Sequence, residues 1–155
     1  MMNKKILIAY YTKGGASEKY AQIIADVLTD KGLNVDVHNL KDKKLSILEY
    51  DTLILGTGVR MFMVYRRWKK ILKQKEIKDK DLYMFLSSGM AIEEPDKAVE
   101  KFLKPLVKKY NLNPDSLVSF PGVTPEKWAK YDDGPKETMK PELAKAWAEE
   151  ISHNL

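Results

Sequence analysis

The chain contains no cysteine. That excludes a disulfide, a thiolate nucleophile and a cysteine-held iron–sulfur cluster. Any redox chemistry must then be carried by an organic cofactor. Histidine is nearly absent as well: His38 and His153 stand far apart, so no metal site and no imidazole-based catalytic constellation is expected. The longest apolar run, Ile6 to Tyr11, falls well short of the ~20 residues that span a bilayer. Met1 to Lys5 and the short apolar stretch behind it lack the length and cleavage site of a signal peptide, so the expected location is the cytoplasm. Arginine occurs only as Arg60, Arg66 and Arg67, and lysine therefore dominates the net charge of +5.

What is present fits one globular domain covering residues 1–155, with 44% hydrophobic and 32% charged residues, a balance that argues against disorder. An excess of lysine of this size serves solubility. It also suits docking on an acidic redox partner protein or peripheral contact with an anionic membrane surface. Nucleic acid is not an expected partner, because the basic residues are spread along the chain and accompany no reading motif.

Hydrophobic patterning gives a strand–helix alternation. Ile6-Leu-Ile-Ala-Tyr-Tyr11 reads as a central strand buried on both faces. Tyr20, Ile23, Ile24, Val27 and Leu28 follow helical spacing, with Gly32 placed as a C-cap. Leu33, Val35 and Val37 alternate with polar residues, which predicts an edge strand with one wet face. A short helical turn is expected near Ser46 to Glu49. Leu53 to Gly56 and Leu82 to Leu86 are continuous and central. Between them, Met61, Val64, Tyr65, Trp68, Ile71 and Leu72 predict the apolar face of one helix, whose other face carries Arg66, Arg67, Lys69, Lys70 and Lys73. A further helix opens at Pro95 and runs through Val99, Phe102, Leu103, Leu106, Val107 and Tyr110. Pro105 should kink or break it. Leu117, Val118 and Phe120 mark a fifth strand, and Pro141 opens a last helix carrying Leu143, Trp147 and Ile151. Val123 to Lys140 is long for a connection. The pattern predicts an α/β three-layer sandwich around a five-stranded parallel sheet of order 2-1-3-4-5, with its crevice at the carboxyl ends of strands one and three.

The strongest chemical signal is Tyr10-Tyr-Thr-Lys-Gly-Gly-Ala-Ser17, set between a buried strand and an amphipathic helix. A phosphate needs converging donors and an open approach. Gly14 and Gly15 let backbone N–H groups come close, Thr12 and Ser17 add hydroxyls, and a helix start adds its dipole. The loop is neither a Walker loop nor the G-x-G-x-x-G fingerprint.

Tyr10, Thr12, Gly15, Ser17, Ala21 and Ile24 fall at the spacing of the flavodoxin signature, and the chain resembles the flavodoxin family. Ser17 stands where the family usually has Thr, and Ala9 where it has a larger apolar residue. The resemblance implies a flavodoxin-like fold binding FMN non-covalently. Thr12, Lys13, Gly14, Gly15, Ala16 and Ser17 would hold the phosphate. Thr57, Gly58, Val59, Arg60 and Met61, with Ser87, Ser88 and Gly89, would flank the ring. Met61, Phe62, Met63 and Met90 occupy the region where the family often stacks Trp or Tyr. The implied function is electron transfer between redox partners, with no catalytic residue of its own. Gly58-Val59-Arg60-Met61 also resembles the menaquinone-dependent protoporphyrinogen oxidase branch, which implies an FMN-dependent oxidoreductase as the alternative. A flavodoxin-like interaction domain without cofactor is a third reading. A cation at Arg60 would favour an anionic reduced flavin and raise its potential.

Overall fold

A computed structural model describes residues 5–11, 15–41, 46–60, 63–64, 66–122 and 139–155, with backbone alone at Arg60, Met63, Val64, Arg67 and Met90. Six strands and five α-helical segments make up the described chain. They run β1 (Lys5–Tyr11), α1 (Ala16–Asp30), β2 (Asn34–Asn39), β3 (Thr52–Arg60), β4 (Met63–Val64) and α2 (Arg66–Leu72), followed by a 3-10 turn (Lys75–Asp79). Next come β5 (Asp81–Ser88), a 3-10 turn (Met90–Ile92), α3 (Pro95–Ala98), a π-helical turn (Val99–Leu103), α4 (Lys104–Lys109), β6 (Ser116–Pro121) and α5 (Pro141–Ser152).

The continuous apolar runs become the sheet centre because both their faces are covered. In β1 the residues Ile6, Leu7, Ile8 and Ala9 are all buried, and in β5 burial extends from Leu82 to Ser88. The parallel strands lie in the order β2-β1-β3-β5-β6, which is the expected 2-1-3-4-5 arrangement once the short β4 is set aside. β4 was not foreseen. It pairs antiparallel with the end of β3, Val59 opposite Val64 and Arg60 opposite Met63. The helix expected from Met61 onward therefore begins at Arg66. Met61, Phe62 and Tyr65 lie outside the described residues.

Two apolar layers sandwich the sheet. Trp68, Ile71 and Leu72 of α2, with Phe102, Leu103 and Leu106 from the later helix, cover one face through Leu7, Leu53, Leu55, Met84 and Leu86. On the other face, Tyr20, Ile24 and Leu28 of α1 and Trp147 and Ile151 of α5 pack on Ile6, Ile8, Ile54 and Phe85. Within α5 it is Ala144 that turns inward, while Leu143 faces solvent. The stretch near Ser46 makes a single turn at Leu48–Glu49, closed by the Tyr50 N–H donating to the Ile47 carbonyl at 3.2 Å.

Pro105 produces a local change of winding. The five residues before α4 form a π-turn, in which the Lys104 N–H donates to the Val99 carbonyl five residues back. Pro105 then falls in the first turn of α4, where a missing N–H is harmless.

Tyr50, 3% exposed, joins the loop before β3 to the edge strand by donating to the Asp36 carboxylate at 2.9 Å. Burial, and then the bond to Asp36, push its phenol up to about 12 from an ordinary 10.0. An unfolded tyrosine loses its proton first. The stabilisation is complete below pH 10 and drains away as pH rises from 10 toward 12. Urea midpoints measured across that window should fall for the parent chain and fall less for Tyr50→Phe.

Candidate functional site

Register decides where the loops meet. Tyr10 and Tyr11 of β1 lie beside Gly56 and Thr57 of β3, and Thr57 and Gly58 lie beside Leu86 and Ser87 of β5. Ser87 and Ser88 in turn lie beside Phe120 and Pro121 of β6. The strand exits thus form one row. At β1 the chain leaves toward β2 and at β3 toward β5, so the row opens a crevice where the winding reverses.

The first wall of the crevice is the head of α1. Gly15 takes φ 89, a left-handed conformation, and as the N-cap residue hands the chain into a 15-residue helix. A Cβ at Gly15 would meet nothing within 4 Å, so the demand for glycine here is conformational and leaves the approach open. Ala16 and Ser17 follow, both buried, and the Ser17 hydroxyl lies 2.7 Å from that of Ser87. This bond ties the head of α1 to the exit of β5. Tyr10 donates to the carboxylate of Glu18 in the first turn of α1 at 3.2 Å.

The second wall comes from β3 and β5. Thr57 is fully buried, and its hydroxyl donates to the carbonyl of Gly58 at 3.0 Å. Ser88 accepts from the Ala91 N–H at 3.3 Å through its side chain, and its carbonyl accepts from Gly122 at 2.9 Å. Gly89 is exposed, with open space around its α-carbon. The site is therefore rich in hydroxyls.

Among the expected site residues, the structure brings together Gly15, Ala16, Ser17, Thr57, Gly58, Val59, Ser87, Ser88 and Gly89 along this row, with the backbone of Arg60 beside them. Thr12, Lys13, Gly14 and Met61 lie outside the described residues, as does the Arg60 side chain.

Two contacts were not foreseen. Gly56, one residue before the crevice, lies beside Phe85, and a Cβ there would sit 1.9 Å from Cζ of that ring. Its place in a continuous apolar strand gave no sign of this close approach. The other is made by Tyr20, read only as part of the apolar stripe of α1. Its hydroxyl donates to the Pro121 carbonyl at 2.5 Å and accepts from the Lys140 N–H at 3.1 Å, so it links the residues on either side of 123–138. Burial raises its phenol above the ordinary range. The usable signal was the residue type, since a buried tyrosine must find a partner for its hydroxyl.

The comparisons with known proteins agree with this geometry. The sequence profile described as "Flavodoxin domain" matches residues 7–131. The chain belongs to that flavodoxin family. No curated protein matches it. Solved flavodoxins share its fold: that of Streptococcus pneumonia TIGR4 covers 97% of this chain and 99% of its own at a TM-score of 0.67 and 20% identity. Oxidised Flavodoxin 1 from Bacillus cereus covers 97% and 99% at 0.66 and 18%. Rubredoxin oxygen:oxidoreductase from Desulfovibrio gigas also aligns over 97% of this chain, at 0.67 and 18%, but the chain spans only 35% of that larger protein. No helix among the described residues is long and apolar enough to cross a membrane.

Two expectations follow for this flavodoxin-family site. Gly56→Ala should cost about 1–3 kcal/mol by forcing Phe85 aside, and Phe85→Leu in the same chain should recover part of that loss in denaturant titrations. Ser87→Ala should cost about 1–2 kcal/mol by leaving the Ser17 hydroxyl buried without its partner. The Ser17→Ala/Ser87→Ala double variant should lose less than the two single losses added together.

Proposed function

We propose that the chain binds one FMN non-covalently in this crevice and carries single electrons between redox partners. The observation that carries the reading is the convergence, at the exits of β1, β3 and β5, of a helix head behind a left-handed glycine, a hydroxyl set (Ser17, Thr57, Ser87 and Ser88) and an open Gly89. Membership of the flavodoxin family supports it.

In this reading the loop from Thr12 to Ser17 holds the phosphate by backbone N–H groups and hydroxyls, aided by the positive end of the α1 dipole. Thr57 to Met61 and Ser87 to Gly89 contact the ring. When bound, FMN supplies the redox chemistry. The protein's own part is to bind, orient and tune. Thr57 restrains the Gly58 carbonyl, the Ser17–Ser87 bond holds the two loops at a fixed separation, and the cation at Arg60 favours a reduced, anionic cofactor. None of these groups is placed to abstract a substrate proton, which suits a carrier more than a substrate-converting enzyme.

The test is a visible absorption spectrum of the purified chain, taken after adding FMN and removing the excess, followed by redox titration. Retained flavin reduced in two resolved one-electron steps is the expected result. Reduction in a single two-electron step, with turnover of a quinone or of protoporphyrinogen, would point to the oxidoreductase reading. Failure to retain flavin would leave an interaction domain.

A further inference from the structure

Helix α2 carries its charge in an unfavourable way. Its seven residues include Arg66, Arg67, Lys69 and Lys70 and no acid, and Lys73 follows directly. Arg66, Lys70 and Lys73 are exposed and Lys69 half-exposed. Arg66 with Lys70, and Lys69 with Lys73, stand four residues apart, the spacing at which neighbouring like charges work against a helix. Arg66 also sits at the amino end, where a cation opposes the helix dipole.

Elsewhere on the described surface four lysines are matched with acids. Lys31 meets Glu149 at 2.7 Å, Lys97 meets Glu94 at 3.3 Å, Lys5 meets Glu49 at 3.4 Å, and Lys104 pairs with Glu100. In α4 the unpaired Lys108 and Lys109 fall in the last turn, where the dipole favours them. Among the described residues, Arg66, Lys69, Lys70 and Lys73 make no ion pair, hydrogen bond or ring contact. Four exposed or half-exposed cations in two helical turns are thus left unmatched against the interest of the helix that carries them.

Their position is equally specific. β4 holds the chain against the carboxyl end of β3, and α2 starts two residues later, so the basic stripe begins at the rim of the crevice. It runs from there toward the opposite end of the sheet, where β5 begins. The segment leaving β5 bears the exposed acids Glu93, Glu94 and Asp96. The exits of β3 and β5 therefore carry opposite charge, a polarity that can fix the orientation of a docked partner as well as attract it. The apolar residues of α2 do not take part: Trp68 is 0% exposed, Ile71 4% and Leu72 1%. A helix that lies on a membrane inserts apolar side chains beside its cations, and here those side chains are in the core. The stripe is suited to a protein surface.

We infer that the exposed face of α2, from Arg66 to Lys73, is the docking surface for an acidic redox protein, which it brings edge-on to the crevice. The inference rests on the electron-carrier reading above, and names the surface through which that exchange takes place.

The test uses the full chain and a fluorescently labelled acidic [2Fe–2S] ferredoxin as probe, with affinity read by anisotropy at low salt. This readout needs no flavin. Arg66→Glu/Lys70→Glu should weaken binding about tenfold, and raising the salt to a few hundred millimolar should weaken the parent chain similarly. Lys70→Glu should weaken binding severalfold, whereas Lys145→Glu, the same charge change at an exposed site on α5, should leave it within a factor of two. FMN affinity should be the same in every variant. Equal effects of Lys70→Glu and Lys145→Glu would overturn the inference, because net charge alone would then explain binding. So would Lys70-dependent sedimentation with vesicles one-third phosphatidylglycerol, without ferredoxin binding. A chain that retains no FMN yet binds ferredoxin through Lys70 would refute the carrier reading and keep the docking face. An FMN-loaded chain indifferent to Lys70 would do the reverse.

Discussion

Burying a parallel sheet on both faces restricts where irregular backbone can go. β1, β3 and β5 are each paired with a strand on either side, and both faces of those strands are covered by helices, so loops are confined to the two ends of the sheet. At the carboxyl end the register brings Tyr11, Thr57, Gly58, Ser87 and Ser88 into one row. Because β1 and β3 send the chain in opposite directions, no connection crosses the space between them. The hydroxyl pair of Ser17 and Ser87, the left-handed Gly15 and the bond from Thr57 to Gly58 all depend on that alignment. A strand displaced by one residue would turn core side chains toward the wrong layer and separate these groups together.

The same alignment explains what was legible in the sequence. Strands buried on both faces need unbroken apolar runs, and Ile6 to Tyr11, Leu53 to Gly56 and Leu82 to Leu86 supply them. The edge strand needs one polar face, and Val35 and Val37 alternate accordingly. The phosphate-type loop was visible because glycine and hydroxyl residues at the start of an amphipathic helix have few other uses. Less visible was anything set by approach across the sheet. Nothing local to Gly56 announces the ring of Phe85, because their closeness depends on residues 29 apart in sequence coming into register. The β4 hairpin was hidden for a related reason: Met63 and Val64 suit a helix face as well as a two-residue strand, and their pairing with Val59 and Arg60 decides the matter. Leu143 was assigned to the core by spacing alone, yet Ala144 is the residue that fits against the sheet, where α5 packs closely on α1.

Polar groups inside this molecule join elements more than they decorate them. Tyr20 reaches from α1 to the end of β6 and to the approach of α5. The Trp147 indole donates to Ser116 at 3.0 Å, pinning α5 to the start of β6. Tyr50 reaches the edge strand. Each bond crosses a boundary that apolar contact alone would leave free to slide, since dispersion has no preferred direction while a hydroxyl has one partner to find. Trp68, in contrast, has a buried indole N–H with no partner among the described residues.

The π-turn ahead of Pro105 has a consequence for the history of the chain. A turn closed five residues back holds one residue more than the ordinary winding, so Val99 to Leu103 store a length of chain that a regular helix would not contain. Such a store gives the gene freedom at that point. A codon gained or lost there changes the winding of one turn and leaves the strands on either side in place. Pro105 marks where that freedom stops, because beyond it the chain must enter α4 with the phase that points Leu106 inward.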